Sequence, residues 1–194
     1  MKRWVEALRA RRRVRVTDAP PYFSEVCILC EVERAIAREA EARVGLETGG
    51  VLIGFTDQSR NAVVVVGASG PGPRARHRRD AFNRDRAFCQ AYLDAAAQRS
   101  GGRIDFVGEW HKHREPDPYP SPTDQATYRA LAADPRAGLA QVVVLIAGTT
   151  PQSRPTAEDR YARTRPFVFV RTGFAPRALR ILPNAAYADL TTGR

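Results

Sequence analysis

The residues of this chain that could carry out chemistry lie in one short stretch and at one position upstream of it. His111 and His113 are one residue apart, and Ser121 and Asp124 follow them closely. Two imidazoles and one carboxylate are the three protein ligands that typically hold a catalytic zinc ion, with the fourth position left for water. Glu47 lies in the Gly-rich segment 47–50 and adds a second carboxylate. These residue types predict hydrolysis at one zinc ion per chain.

Secondary structure would bring these side chains together. Residues i and i+2 of a strand point to the same face, so His111 and His113 can reach one ion. Asp124, at the start of a helix, can turn back towards them. A zinc ion held there would lower the pKa of a water molecule to about 7. We expect Glu47 to take the proton of that water as general base, and the Ser121 hydroxyl to stabilise the oxyanion.

Simpler interpretations of the same residues are also open. Ser121 and Asp124 have the spacing of a helix capping box, and Pro122 between them fits the first helical position. A capping residue can also act in catalysis, because the cap fixes its side chain. Glu47, which precedes two glycines, could be only a residue at the end of a helix.

Three further features do not predict a second site. Cys27 and Cys30 form a CxxC without a second pair and with an apolar interior, so we expect them to pack at a strand-to-helix junction. His113 and Glu115 have the His-x-Glu spacing of zinc deaminases, yet the Pro-Cys-x-x-Cys of those enzymes is absent, which excludes deamination. His77 lies in an arginine-rich run and is expected to be a solvated loop residue.

Length and composition indicate one globular domain. The 194 residues are 43% hydrophobic and 27% charged, which is typical of a folded chain. No apolar run approaches the roughly 20 residues of a membrane span, and Arg11–Arg13 stand where a signal peptide would be apolar. The three cysteines are an odd number, and we therefore expect free thiols in a cytoplasmic protein with no membrane partner.

Arginine supplies almost all of the net charge of +10, since only Lys2 and Lys112 are lysine. This could be a compositional bias, or it could make a surface for an acidic protein or nucleic acid. The arginines are dispersed apart from the runs 11–13 and 74–79, and no recognition-helix, RNP or zinc-finger pattern accompanies them. The sequence therefore argues against a nucleic-acid partner.

The hydrophobic pattern predicts interleaved strands and helices, and hence an α/β fold with a mixed sheet flanked by helices. A basic N-terminal arm is expected over residues 1–20 and one domain over residues 21–194. The predicted strands cover 26–28, 51–55, 62–66, 104–110, 141–147 and 167–171, and the predicted helices 32–40, 85–98 and 122–132. The helix at 85–98 would place four residues on its apolar stripe: Phe88, Ala91, Tyr92 and Ala95. A basic loop is predicted from 69 to about 80.

Together these residues resemble the JAMM metalloprotease family, also called MPN+ or JAB. The pattern of that family is an upstream Glu, then His-x-His, a spacer, Ser, two residues and Asp. The stretch from His111 to Asp124 fits it without a gap, with the seven spacer residues at 114–120. The run from Glu47 to Gly54 is similar to the upstream block of the family. The resemblance covers roughly residues 25–150.

The resemblance implies zinc-dependent cleavage of isopeptide or peptide bonds at the C-terminus of ubiquitin or a ubiquitin-like protein. It also implies the cytidine-deaminase-like fold of the family, in which a curved mixed β-sheet packs between helices. The Pro-Gly-Pro loop at 71–73 and the segment 108–111 are most similar to stand-alone prokaryotic JAB proteins. Those proteins accompany E1- and E2-like enzymes in bacterial conjugation systems, including anti-phage CBASS operons. The implied partners are therefore a ubiquitin-like protein or its conjugate and E1/E2-like enzymes.

The chain departs from the family beside the histidines. The family usually has Ser or Thr between the two histidines and Pro after them, where this chain has Lys112 and Arg114. Neither is expected to be a ligand, because the Lys112 side chain would point to the opposite face of the strand. The loop Gly70–Asp80 is expected to be a mobile flap, with four arginines contacting the modifier: Arg74, Arg76, Arg78 and Arg79.

Three other functions are alternatives to deconjugation. A processing protease for a ubiquitin-like or sulfur-carrier precursor would use the same site on a different substrate. A non-enzymatic scaffold, as in family members with degenerate motifs, is disfavoured because all five motif residues are present. A nucleic-acid-associated role, as in the related RadC group, depends on the charge of the chain and on that likeness.

Overall fold

A computed structural model describes residues 23–115, 118–148 and 164–188. The described strands are β1 (Glu25–Leu29), β2 (Gly49–Asp57), β3 (Ala62–Ala68), β4 (Arg76–His77), β5 (Phe82–Asn83), β6 (Asp105–Lys112), β7 (Val142–Ala147), β8 (Thr164–Val170), β9 (Gly173–Pro176) and β10 (Ala178–Leu182). The described helices are α1 (Cys30–Ala42), α2 (Arg86–Arg99) and α3 (Pro122–Ala133). Strands β4 and β5 form a separate hairpin, and the other eight strands form one sheet.

The eight-stranded sheet has the order β10-β1-β3-β2-β6-β7-β8-β9. β1 runs parallel to both β10 and β3, and β6 runs parallel to β7, whereas the other neighbours are antiparallel. Strands β3 and β7 contain long buried apolar runs, Val63–Val66 and Val142–Ala147. Continuous apolar strands are typical of a sheet that is covered on both faces.

The helices provide that cover from two sides. α1 packs against β1, β3 and β10, whereas α3 packs against β7, β8 and β9 and α2 against β2 and β6. Consecutive residues of β6 show the two faces, because Lys112 reaches the backbone of α1 and His111 contacts Tyr128 of α3. This mixed sheet between helices confirms the predicted fold class.

Each predicted strand and helix is present with bounds shifted by a few residues, and four strands of the described chain had no predicted counterpart. The segment 69–80, predicted as a loop, contains β4, the short strand β5 follows that segment, and β9 and β10 follow the last predicted strand. The predicted stripe of α2 was wrong, since Cys89, Leu93 and Ala96 are buried and Phe88 is 41% exposed. The predicted basic arm, residues 1–20, lies outside the described residues.

Cys27, Cys30 and Cys89 are free thiols, as predicted, with Cys27 in the middle of β1 and Cys30 at the start of α1. Among the helices of the described ranges, none has the length and apolar character needed to cross a membrane.

Candidate metal centre

The end of β6 carries the two histidines side by side. His111 belongs to β6. His113 lies just beyond the strand and extends its pairing with β7, because the backbone N–H of His113 donates to the Ala147 carbonyl at 2.8 Å. The Nε2 atoms of the two imidazoles lie 3.0 Å apart. Both side chains are buried, each with 8% of its surface exposed. The i, i+2 spacing thus brings two nitrogen ligands to one point.

The start of α3 brings the carboxylate to the same point. Ser121 caps the helix, since its Oγ accepts from the backbone N–H of Asp124 at 3.2 Å. Asp124 completes the capping box, because its Oδ2 accepts from the Ser121 backbone N–H at 2.8 Å and from the Ser121 hydroxyl at 2.7 Å. The same carboxylate lies 3.5 Å from Nε2 of His111 and 3.2 Å from Nε2 of His113. The capping role and the ligand role are therefore compatible in one side chain.

The three side chains fit a metal ion. One ligand atom from each of His111, His113 and Asp124 lies within 4.8 Å of the others. Two imidazole nitrogens and a carboxylate oxygen are a donor set that suits zinc and similar transition metals. Lys112 donates to backbone carbonyls on the other side of β6 and is not part of this set.

The charge on Asp124 supports cation binding. Burial disfavours the charged form of this carboxylate, but its hydrogen bonds with His111 and His113 outweigh burial and hold its pKa well below the usual range. Burial likewise opposes the charged form of His113, and contact with Asp124 raises its pKa in spite of burial. The carboxylate is therefore ionised at neutral pH and presents negative charge between two imidazoles.

The Gly-rich segment lets β2 pass close to the histidines. Gly49 lies directly opposite His111 in the antiparallel pairing of β2 with β6. A Cβ atom at Gly49 would clash with the carbonyl oxygen of Trp110 and crowd the backbone and Cβ of His111. Glycine at this position therefore lets the segment that begins with Glu47 run beside the candidate metal ligands.

The β4–β5 hairpin holds the backbone of Glu47. The N–H of Glu47 donates to the Arg78 carbonyl at 2.8 Å, and the Glu47 carbonyl lies 2.9 Å from Nδ1 of His77. The prediction of a solvated His77 was therefore wrong, since its half-buried ring is bound to the Glu47 segment and packs on Phe82 with the ring centroids 5.3 Å apart. No sequence spacing marks this contact, because 30 residues separate its partners.

Glu47 shares one cavity with the candidate metal ligands and Ser121. The cavity has a volume of about 610 Å³ and is lined by Glu47, Asp80, Ala81, Phe82, Arg84, His111, His113, Glu115, Tyr119, Ser121, Thr123, Asp124 and Tyr128. Burial is the main cause of the raised pKa of Glu47; Asp124 and Asp80 raise it further, while the two imidazoles oppose the change. A carboxylate with a raised pKa is a stronger base, which suits the proposed role of Glu47.

The four arginines of the predicted flap are exposed and do not line this cavity. Arg74 forms an ion pair with Asp85, the N-cap of α2, with Nε and Oδ2 3.0 Å apart. The hairpin instead contributes Asp80, Ala81 and Phe82 to the cavity wall. Contact between the arginines and a substrate stays a prediction.

Three residues in the surroundings of His111 were not predicted from the sequence: Arg84, Glu109 and Tyr128. Tyr128 contacts both His111 and Glu109, and Glu109 pairs with Arg84. A signal was available for two of them. Glu109 is a charged residue in the interior of β6, two positions before His111, and Tyr128 lies one helical turn after Asp124.

The fold and the donor set together define a metal-dependent hydrolase. Residues 30–164 match the family described as prokaryotic homologs of the JAB domain, and the chain belongs to this family. It is a metalloprotease, and its relatives imply a metal cofactor.

Two relatives and one solved structure illustrate the similarity. A protein of Sinorhizobium fredii (strain NBRC 101917 / NGR234) named "Probable metalloprotease y4qB" is 30% identical over 143 residues, which are 72% of this chain and 86% of that protein. A protein of Vibrio cholerae serotype O1 named "CD-NTase/cGAS isopeptidase" is 36% identical over 83 residues, which are 43% of this chain and 52% of that protein. The solution structure of protein DSY2949 from Desulfitobacterium hafniense has a TM-score of 0.57 and 16% identity and covers 81% of this chain and 93% of its own. This last likeness concerns the fold alone.

Proposed function

We propose that this metalloprotease is a zinc-dependent isopeptidase that cleaves after the C-terminus of a ubiquitin-like modifier and removes the modifier from its conjugates. The observation that carries the proposal is the convergence of His111, His113 and Asp124 beside Glu47 in one cavity. The similarity to a Vibrio cholerae protein named as an isopeptidase supports the choice of bond. In this proposal the enzyme works in the cytoplasm with the E1/E2-like enzymes of a bacterial conjugation system, including one used in antiviral defence.

Glu47 has the central chemical role among the residues of the chain. Zinc, when held by the two imidazoles and Asp124, supplies Lewis acidity that polarises the scissile carbonyl and lowers the pKa of the attacking water. The Glu47 carboxylate takes a proton from that water and then delivers it to the leaving lysine amine. One water molecule is consumed, and Glu47 returns to its starting charge.

The proposed role of Ser121 is to stabilise the negative charge that develops on the carbonyl oxygen of the substrate. Its hydroxyl donates to Oδ2 of Asp124 at 2.7 Å. To stabilise an oxyanion, this proton must turn from Asp124 towards the substrate. The Asp124 carboxylate would still keep the Ser121 backbone N–H as a donor, at 2.8 Å. The rotation therefore leaves Asp124 oriented while a hydroxyl becomes available for the reaction.

The hairpin β4–β5 is the proposed guide for the extended tail of the modifier. Extended peptides bind the exposed edge of a strand through main-chain hydrogen bonds, which do not depend on the sequence of the peptide. Because the Glu47 backbone is bound to Arg78 and His77, a tail paired with this hairpin would pass beside the general base. The exposed arginines of the hairpin would then face the body of the modifier.

A paired substrate experiment tests the proposal. A ubiquitin-like protein encoded near the gene for this chain is prepared in two forms, joined to a lysine side chain and extended by a peptide. Deconjugation predicts faster cleavage of the lysine-linked form, whereas a processing protease would prefer the peptide extension. Zinc analysis of the purified protein should give one ion per chain, lost in His113→Ala.

Two variants separate the roles within the site. Glu47→Gln should abolish cleavage and retain zinc, because it removes the proton carrier and no ligand. Ser121→Ala should lower kcat on the order of 10²–10³-fold, the usual loss for an oxyanion donor. If Ser121→Ala lowers only the melting temperature, Ser121 is a helix cap and nothing more. Zinc retained in a His111→Ala/His113→Ala double variant would contradict the ligand assignment.

A further inference from the structure

A chain of buried side chains leads from His111 to Arg84. Oη of Tyr128 lies 3.3 Å from Nδ1 of His111 and 3.1 Å from Oε2 of Glu109. Both carboxylate oxygens of Glu109 accept hydrogen bonds from the guanidinium of Arg84. Tyr128 is 4% exposed and Glu109 is 6% exposed, so water does not compete effectively for these bonds.

Regular secondary structure places these groups around one imidazole. Asp124 and Tyr128 are one turn apart on α3 and therefore lie on the same face of the helix. Glu109 and His111 are two residues apart on β6 and point to the same side of the strand. His111 is thus contacted at both nitrogens by the same helix, with Asp124 at Nε2 and Tyr128 at Nδ1.

The hydrogen bonds that link these four side chains allow one assignment of donors and acceptors. Both oxygens of Glu109 accept from the fork of the Arg84 guanidinium, which is the arrangement of a carboxylate with no proton to donate, so Glu109 acts only as an acceptor. The Tyr128 hydroxyl therefore donates to Glu109. Its oxygen is left to accept from a proton on Nδ1 of His111. The lone pair of Nε2, the nitrogen that faces His113 and Asp124, is then the one that a bound metal ion would use.

We propose that Tyr128 is a positioning residue that holds His111 in its Nδ1-protonated tautomer, with Glu109 and Arg84 orienting the tyrosine hydroxyl. The inference rests on the metal site proposed above and adds residues that do not touch the metal. The Tyr128 ring is itself held between His111, at a centroid distance of 6.1 Å, and Phe169, at 5.3 Å. A metal ligand fixed in tautomer and orientation loses less free energy when it binds the ion.

Tyr128→Phe tests the proposal because it keeps the ring and removes only the hydroxyl. The zinc affinity of the apoprotein is measured by competition with a chromophoric chelator. Loss of a partner of this kind should weaken zinc binding about 10–100-fold. Tyr187→Phe is the matched control, since the Tyr187 hydroxyl donates to Oδ2 of Asp57 at 2.9 Å and no candidate ligand is involved. Zinc affinity should not change in this control, whereas a purely structural role of Tyr128 would lower thermal stability and leave zinc affinity intact.

A measurement on the unmodified protein keeps the proposal open to refutation even if the variant does not fold. The chain has three histidines, so ¹⁵N NMR of the imidazoles can resolve each ring. In the zinc-loaded protein, His111 should carry its proton on Nδ1, and this signal should weaken or shift in Tyr128→Phe.

Two results would overturn the role of Tyr128: equal zinc affinity in Tyr128→Phe and the unmodified protein, or a His111 ring protonated on Nε2. Failure of the metal site itself has a different signature. In that case His111→Ala would keep stoichiometric zinc.

Discussion

Glu33 gives the chain a stability that depends on pH. Its side chain is fully buried in α1, and neither carboxyl oxygen has a hydrogen-bond partner among the described residues. Burial raises the pKa of Glu33 to about 7, while nearby Arg34 opposes the rise and Glu41 adds to it. An ionised carboxylate at this position lacks the partners that buried charges require.

The size and direction of the effect follow from this pKa. Its pKa is about 7 in the folded chain against 4.5 for an exposed glutamate, and the folded chain therefore binds the proton more tightly. The stabilising contribution of Glu33 is complete below pH 4.5 and is lost as the pH rises through 7. At about 1.4 kcal/mol per pH unit, the full loss amounts to about 3 kcal/mol.

Glu33→Gln should remove this dependence, because the amide does not titrate. The free energy of unfolding by urea is measured for both proteins between pH 5 and 8. The free energy of unfolding of the unmodified protein minus that of the variant should fall by up to about 3 kcal/mol as the pH rises over this range. For a chain of this size that difference corresponds to a change of about 6–12 °C in melting temperature.

Glu31→Gln is the matched control, since Glu31 is exposed on the same helix. Its difference from the unmodified protein should not vary with pH. A constant difference for Glu33→Gln, or one that grows with pH, would refute the reasoning.

Two further predictions concern the surroundings of the site. Lys112→Met removes the hydrogen bonds of Nζ to the carbonyls of Ala40 and Arg43, both at 2.8 Å, and should lower the free energy of unfolding by about 2–4 kcal/mol. Zinc content should stay at one ion per chain, and loss of zinc without loss of stability would contradict this account. Exchanging the four flap arginines for Gln should raise KM and flatten its dependence on salt, with kcat little changed. Among the four single variants, Arg74→Gln should change KM least, because Asp85 already pairs with Arg74. A KM that is the same at all salt concentrations in the unmodified protein would exclude these arginines from substrate encounter.

The longer elements of the fold could be predicted because their hydrophobic pattern persists over many residues. β7, with Val142–Ala147 all buried, and α3, with a Ser-Pro start, are examples. The hairpin β4–β5 has only two residues in each strand, too few for a period to show. β10 is mostly exposed, and its place beside β1 depends on backbone pairing between residues far apart in sequence. Such pairing leaves no local signature.

The candidate ligands could be predicted because secondary structure fixes their relation at short range. His111 and His113 are two residues apart along a strand and therefore point to the same face. The capping box fixes the Asp124 side chain at the start of α3. The partners of these residues could not be predicted in the same way. Arg84 and Glu109 are 25 residues apart and meet only because the start of α2 packs beside β6. Burial then makes their charges dependent on one another.

Lys112 shows how the chain accommodates a departure from its family next to the metal ligands. Because successive side chains of a strand point to opposite faces, the side chain between the two histidines faces away from the site. The residue at this position can therefore make a contact on the other face of the sheet. Here its Nζ donates to the carbonyls of Ala40, in the last turn of α1, and of Arg43, the residue after the helix, where the helix dipole favours a cation. Its backbone N–H donates to the Thr48 carbonyl at 2.8 Å, next to Glu47. One residue between the histidines therefore ties the end of α1 and the segment of the proposed base to the strand that carries the candidate ligands, and its side chain does not enter the site.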